Sequence, residues 1–301
     1  MASPSSIPTD GPPQIFDAGR RLARLKRAQS SIASADFLHR RAADNAVNSL
    51  DVILREFKSP VDLSPFPGIF AEVLADSPAR ARVAQIATPG SLKDRAAPGA
   101  DFLDVEDGSA DLVVNLLGLH WANDLPGALA QIRRAMKPDG LFIGSLFGAA
   151  TLKELRGVLT EAELEINGGA QARVSPFADG YDGAGLLQRA GFALPVTDVD
   201  RFTVRYSNPL NLMRDLRAMG ETNVLAGPVR PLTRQVLGRA LELYAQRHAE
   251  PDGRIPATFE MVHLAGWAPH ESQQKPAKRG SAQVSLAEAL HVRSKDVGGT
   301  A

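Results

Sequence analysis

The chain has 301 residues, of which 44% are hydrophobic and 23% charged, as in an ordinary soluble globular protein. Its 34 basic and 34 acidic residues give a formal net charge of zero, so composition predicts no general attraction to nucleic acid or to an anionic membrane. The absence of cysteine excludes disulfides, thiol nucleophiles and cysteine-ligated zinc or iron–sulfur centres.

The two ends of the chain differ in composition from the middle. Residues 1–14 are rich in Ser and Pro and have no apolar core of a signal peptide, which predicts a disordered leader. Residues 268–301 are rich in Ser, Gly, Lys and Gln and are predicted to form a loosely attached tail. We therefore expect one domain over 15–267, in a cytoplasmic protein of a bacterium.

Hydrophobic periodicity predicts the elements of the first half of the chain. Apolar residues at helical spacing predict a helix over 47–57. A short strand at 60–63, a helix at 69–74 and a second strand at 83–87 follow. A strongly apolar strand is predicted at 111–117.

The second half continues the alternation of helices and strands. A helix is predicted with Asp124 as N-cap and Pro126 in its first turn, then a turn at 138–140, with Gly140 tolerating the chain reversal, and a strand at 141–146. Helices between short strands indicate a parallel sheet with right-handed crossovers. Strands at 201–206 and 258–267 alternate in polarity, and helices around 209–219 and 232–248 form an insertion at about 207–255.

Two long motifs carry a resemblance to a known class of fold. Residues 111–121 are DLVVNLLGLHW and residues 137–148 are KPDGLFIGSLFG. This pair is similar to the fourth and fifth strands of class I S-adenosylmethionine methyltransferases. The resemblance implies an α/β, Rossmann-like sheet that is parallel with an antiparallel last strand and carries a helical insertion.

Further motifs narrow the resemblance to one family. They are IFD at 15–17, LHWANDLPGAL at 119–129, TLKELR at 151–156, SPF at 175–177, MGETN at 219–223, PATF at 256–259, GW at 266–267 and HESQQKPAKRGSAQVS at 270–285. The set resembles a family that contains the mitochondrial complex I assembly factor acting on an arginine of a core subunit. That family is kin to the malonyl-carrier-protein methyltransferases of biotin synthesis.

The glycine loop that should bind the cofactor departs from the family pattern. The resemblance implies an acidic residue and a run of glycines after the first strand, where Asp62 and Gly68 remain. Ser64 and Phe66 occupy glycine positions, and two prolines remove backbone donors. We expect residues 63–68 not to form an open, cofactor-accepting loop.

The second cofactor-binding position is also altered. The family pattern places an acidic residue at the end of the second strand, but residues 80–93 contain none, and Gln85 stands at about that position. The resemblance also implies Asn115 as a cofactor contact. A neutral acceptor binds less tightly than a charged one, so S-adenosylmethionine binding is predicted to be weak or lost.

His120 and Trp121 are the candidate catalytic residues. They follow a strand directly, at the edge where open α/β sheets bind ligands, and imidazole can move a proton near neutral pH. The alternative is a packed aromatic beside a hydrogen-bonded histidine. Glu154 and the arginines at 20–27 are interpreted as solvated helix faces, or, for the arginines, as a docking surface. No histidine has metal-ligand spacing.

Three functions follow from the resemblance. The protein is a cofactor-dependent enzyme that methylates or hydroxylates a protein substrate, a non-catalytic assembly factor that grips a subunit of respiratory complex I, or a carrier-protein methyltransferase of biotin synthesis. The long C-terminal match favours the complex I branch. The altered loop favours binding over catalysis within it.

Overall fold

The computed structural model describes residues 14–96, 104–177 and 182–274. The chain divides into two units, residues 1–269 and 270–301. Residues 1–13 of the predicted leader and the part of the predicted tail beyond residue 274 lie outside the described residues.

Five strands form one sheet in the order β1-β2-β3-β5-β4. The strands β1, β2 and β3 are parallel to one another, whereas β5 is antiparallel to both of its neighbours. The predicted α/β sheet with an antiparallel last strand is confirmed. The strands are β1 Pro60–Asp62, β2 Ala110–Leu116, β3 Met136–Phe147, β4 Ala193–Tyr206 and β5 Ile255–Trp267.

Helices occupy both faces of the sheet. In the described residues they are α1 Ala18–Ala28, α2 Phe37–Asp51, α3 Pro67–Ala75, α4 Leu92–Ala96, α5 Leu125–Ala135, α6 Lys153–Asn167, α7 Gly183–Arg189, α8 Pro209–Ala218 and α9 Arg234–His248. Alternate side chains of β2 point to opposite faces, as a pleated strand requires. Leu112 and Val114 join a core with α1, α2, α6 and α9, while Val113 joins a second core with α5.

The predicted helix over 47–57 is wrong at its carboxyl end. The helix α2 ends at Asp51, and Phe57 instead forms a parallel bridge with Val83. The reason is backbone pairing, because the amide of Phe57 donates to the carbonyl of Arg82 at 2.7 Å. A second bridge joins Val61 to Ala87, so residues 83–87 run beside β1 through isolated bridges and do not form a regular strand.

The predicted turn at 138–140 lies within β3, which begins at Met136. Asp139, and not Gly140, has the left-handed backbone, with a φ of 61°. Gly140 is needed for space, because a Cβ there would lie 3.0 Å from the carbonyl oxygen of Lys137. The predicted N-cap of α5 is confirmed, since the Asp124 carboxylate accepts a hydrogen bond from the amide of Gly127 at 2.9 Å.

The helices α8 and α9 lie between β4 and β5, where the insertion was predicted. The helix α9 packs on α6 and contributes Val236, Ala240 and Leu243 to the core. No helix in the described ranges has both the length and the hydrophobicity required to cross a bilayer.

Candidate functional site at the carboxyl edge of the sheet

Three separate motifs meet beyond the carboxyl end of β2. The side-chain oxygen of Asn123 accepts hydrogen bonds from the amides of Ile15 and Phe16, both at 2.8 Å. Phe16 forms an antiparallel bridge with Leu225, and the amide of Asp17 donates to the carbonyl of Val224 at 2.8 Å. The chain leading into α1 and the segment after α8 are thereby both fixed at this edge.

A single buried carboxylate, that of Glu221, holds these motifs together. Its Oε1 accepts from the Arg21 guanidinium at 2.9 Å. Its Oε2 lies 3.0 Å from Nε2 of His120 and accepts from the indole nitrogen of Trp121 at 2.9 Å. Arg21 also donates to the carbonyl of Gly220 at 2.7 Å, and its guanidinium lies 4.8 Å from the centre of the Trp121 ring.

The charge of Glu221 is stabilised in the folded protein. Burial alone would raise the pKa of this carboxyl, but the charge of Arg21 and the hydrogen bond to His120 outweigh burial and lower the pKa to about 2. Since an ionised carboxylate only accepts hydrogen bonds, we assign the proton of a neutral His120 to Nε2.

His120 is enclosed by aromatic rings. The ring centres of Phe147, Trp121 and Phe177 lie 4.8, 5.0 and 5.6 Å from that of the imidazole, and the side chain of His120 has no exposed surface. Burial, opposed by Glu221, lowers the pKa of His120. His120 and Trp121 are thus both buried and hydrogen-bonded to Glu221, and a catalytic role for either stays a prediction.

The loop after β1 is closed. Residues 61–66 are all buried, and the Phe66 ring stands edge-on to the buried His39 imidazole, with ring centres 5.1 Å apart. The hydroxyl of Ser64 accepts from the amide of Leu116 at 2.9 Å. Ser64 thus has a structural use at the end of β2, and Phe66 fills space in the core.

Two buried acceptors beside this loop have no partner among the described residues. Asp62 accepts from the amide of Ser64 through Oδ1 at 2.8 Å, while its Oδ2 has no donor. Asn115 donates to the carbonyl of Leu63 at 3.1 Å, while its Oδ1 likewise has no donor. Burial, partly offset by the hydrogen bonds from Ser64, raises the pKa of Asp62 to about 7.

The other two cofactor candidates occupy open positions. Gly68 is exposed, and a Cβ there would meet no atom within 4 Å, so packing does not require glycine. Gln85 is exposed. It lies two residues before Ala87, whose carbonyl accepts a hydrogen bond from the amide of Asp62 at 2.8 Å. The segment beside β1 therefore ends without an acid. The role of Gln85 stays a prediction.

The residues present fit S-adenosylmethionine only in part. The buried acceptors of Asp62 and Asn115 suit a ligand that donates hydrogen bonds. Phe66 stands where the resemblance implies a glycine, and no acidic residue occupies 80–93. No group of three or more His, Asp or Glu side chains in the described ranges could hold a metal ion.

The sequence analysis missed several buried polar residues. Glu154, expected on a solvated helix face, is buried and accepts from the amide of Thr258 at 3.0 Å and from its hydroxyl at 2.5 Å. Both residues lie in matching motifs, which was the available signal. No motif in the sequence pointed to His39. Both of its ring nitrogens are buried without a hydrogen-bond partner in the described residues, and burial lowers its pKa to about 4.

We expect Glu221→Gln to destabilise the protein by about 3–5 kcal/mol, because it leaves the buried Arg21 charge without its counter-charge. The free energy of unfolding in urea at neutral pH measures this loss. Glu165→Gln removes an exposed carboxylate that pairs with Arg239 and should cost less than about 1 kcal/mol. Equal losses in the two variants would contradict the assigned role of Glu221.

Asp62→Asn should stabilise the protein above neutral pH and have little effect near pH 4. The folded-state pKa of about 7 lies above the ordinary aspartate pKa of 3.8, so folding opposes ionisation and stability falls as the pH rises between these values. Unfolding of both proteins measured across this range should show a difference that grows with pH. A difference independent of pH would mean that Asp62 is ionised normally.

Comparison with known proteins identifies a matching domain family and related sequences. A methyltransferase domain model matches residues 68–144. The arginine-hydroxylase NDUFAF5 of Danio rerio is 35% identical over 285 residues, covering 91% of this chain and 89% of that protein. The Mus musculus arginine-hydroxylase NDUFAF5 is 37% identical over 290 residues, with coverages of 91% and 83%.

A second group of relatives carries a different activity in its name. The malonyl-[acyl-carrier protein] O-methyltransferase of Laribacter hongkongensis is 32% identical over 274 residues, covering 84% of this chain and 90% of that protein. Similarity of this extent to both groups, together with the sheet order, shows the family. The chain belongs to the class I S-adenosylmethionine methyltransferases, in the family that includes the arginine-hydroxylases NDUFAF5 and the malonyl-[acyl-carrier protein] O-methyltransferases.

Proposed function

We propose that this protein acts on a polypeptide during the assembly of respiratory complex I, and that its binding of S-adenosylmethionine is weak or lost. The observation that carries the proposal is the contrast between two neighbouring regions. The motifs joined by Glu221 form a buried hydrogen-bond network. The loop at 63–68 is closed by Phe66.

The contrast bears on whether the protein is an enzyme. Methyl transfer depends chiefly on positioning the cofactor and the acceptor, so a cofactor-dependent enzyme needs the loop after β1 open. If S-adenosylmethionine binds, the unpaired acceptors of Asp62 and Asn115 would hold its hydrogen-bond donors, and the cofactor would supply the activated methyl group. A protein that only grips its partner needs the Glu221 network and not the loop.

The surface near the network suits a polypeptide. Val229 and Leu232, which follow α8, and Ile15, which precedes α1, are exposed apolar side chains. The amide of Ala226 donates to the carbonyl of Ile15 at 2.8 Å, so the two segments are adjacent. We propose that this surface contacts the partner directly. Trp121 is only 3% exposed and packs on Phe16 beneath this surface.

Titration calorimetry tests the cofactor half of the proposal. The wild-type protein is expected to bind S-adenosylmethionine no tighter than millimolar. Phe66→Ala should bind it at least about tenfold more tightly, because the change removes the ring from the loop. Phe70→Ala is the matched control, since Phe70 is a buried phenylalanine of α3, the helix that Phe66 precedes, and its loss is expected to cost a similar ~3–5 kcal/mol of stability.

Two results would contradict this half of the proposal. Micromolar binding by the wild-type protein would restore a cofactor-dependent enzyme. Equal binding by the two phenylalanine variants would show that loosening of the fold, and not clearance of the loop, admits the cofactor.

Affinity capture from the native organism, with identification by mass spectrometry, tests the partner. We expect a peripheral-arm subunit of complex I, captured at least about fivefold less by Val229→Asp, which places a charge in the apolar contact. Val52→Asp is the matched control, because Val52 is 80% exposed and follows α2, outside the insertion. Recovery of acyl carrier protein without a respiratory subunit would favour the malonyl-carrier-protein methyltransferase instead.

A further inference from the structure

A cavity of about 350 Å³ lies between α1 and the segment that follows α8. Its lining residues are Arg20, Arg24, Arg173, Thr222, Asn223 and Val229. It adjoins the Glu221 network through Thr222 but shares no side chain with it, and the loop after β1 contributes nothing to it. Of its lining residues only Val229 belongs to the surface proposed above for the partner, and that function leaves the three arginines unexplained.

The cavity concentrates positive charge. Arg20, Arg24 and Arg27 recur at i, i+4 and i+7, so they lie along one side of α1. Arg27 is close enough to Arg24 and Arg217 that, after the effect of burial, their charges lower its pKa further. Within the described ranges, neither Arg24 nor Arg27 has an ion pair, whereas Arg20 pairs with Asp17 at 3.6 Å.

The walls of the cavity are held in place by hydrogen bonds. The Arg20 guanidinium donates to the carbonyls of Leu225 and Gly227. Arg173 is paired with Glu163 and donates to the carbonyl of Arg230 at 2.7 Å. The side-chain amide of Asn223 donates to the carbonyls of Ala172 and Arg173 at 2.8 and 3.0 Å. The guanidinium groups of Arg20 and Arg173 are therefore positioned before any ligand binds.

Two donors of the lining residues are buried without acceptors in the described part of the chain: Nε of Arg24 and the hydroxyl of Thr222. Arg27, further along α1, has two such nitrogens but does not line the cavity. Leaving such groups unsatisfied is unfavourable, and clustering like charges adds repulsion. A bound anion would relieve both costs.

Guanidinium groups select the chemistry of that anion. Their planar donors match the oxygens of a carboxylate or a phosphate in bidentate geometry. The lining contains no aromatic ring on which a base could stack and no carboxylate that could attract an arginine side chain.

We propose that this cavity is a binding site for an oxyanion, a carboxylate or phosphate group, with Arg24 and Thr222 as its principal unpaired donors and Arg20 and Arg173 as its fixed walls. The site is independent of the cofactor loop. It would place an acidic group of a ligand beside α1, apart from the enclosed His120.

Thermal unfolding with inorganic phosphate, compared with chloride at equal ionic strength, tests the site in the full chain. Phosphate is expected to raise the midpoint of the wild-type protein in a saturable way. Arg24→Gln and Thr222→Val should each weaken this effect, with an affinity at least about tenfold lower for Arg24→Gln, which loses a charge-assisted hydrogen bond. Arg134→Gln is the matched control, because Arg134 is an exposed arginine of α5, on the other face of the sheet.

A labelled hexaglutamate peptide, with hexaglutamine as its neutral match, identifies the source of the oxyanion. Binding of the peptide that Arg24→Gln weakens would assign the site to carboxylates of a polypeptide. A phosphate effect without peptide binding would assign it to a phosphate group. No saturable effect of either probe, or an equal effect in the wild type and Arg24→Gln, would overturn the proposal. Failure of this proposal can be told apart from failure of the proposed function, because the cofactor and partner experiments do not use these probes.

Discussion

The ionised carboxylate of Glu221 is the interaction on which the carboxyl edge of the sheet depends. It lies in the interior, where a lone charge is strongly unfavourable, and it is stable because Arg21, His120 and Trp121 all contact its two oxygens. Arg21 comes from α1, His120 and Trp121 come from the turn after β2, and Glu221 itself lies in the segment after α8. Burying a charge in this way imposes one arrangement on three distant parts of the chain, since any other leaves the carboxylate unpaired.

This constraint explains why motifs so far apart in sequence resemble the same family. The motif at 15–17 pairs with residues 224–226, the motif at 119–124 supplies Asn123 and His120, and the motif at 219–223 supplies Glu221. Phe177 of the motif at 175–177 packs on His120. A network of this kind tolerates replacement of a member poorly, because the remaining members lose their hydrogen-bond partners. The side-chain hydrogen bonds of the loop after β1 join it only to the neighbouring strand β2 and to itself.

The sheet was largely predictable from sequence, because apolar runs such as 111–117 and turn residues such as Asp124 act locally. The start of β3 and the end of α2 were not predictable from sequence, because both depend on pairing with distant residues. Met136 of β3 pairs with Ala110, and Phe57, beyond α2, pairs with Val83. At the site, sequence identified His120, Trp121 and Asp62 but not their burial. A glutamate such as Glu154 or Glu221 is interpreted as solvated until its partner is known, and Thr258 and Arg21 lie more than 100 residues from them.

Because the Phe66 ring is packed against His39, the affinity of a ligand at β1 depends on how often that ring moves out of the loop. A ligand that needs the space of the ring binds only the fraction of molecules in which the ring has moved out. Exposing a buried phenylalanine costs about 1.5–3 kcal/mol, which corresponds to an open fraction of roughly a tenth to a hundredth, and the apparent affinity falls by the same factor. A partner that stabilises the arrangement with the ring moved out would raise the apparent affinity of the ligand by up to the same factor. Because the Phe66 ring packs on His39 of α2, a change at α2 that released the ring would alter ligand affinity at β1 by the same factor.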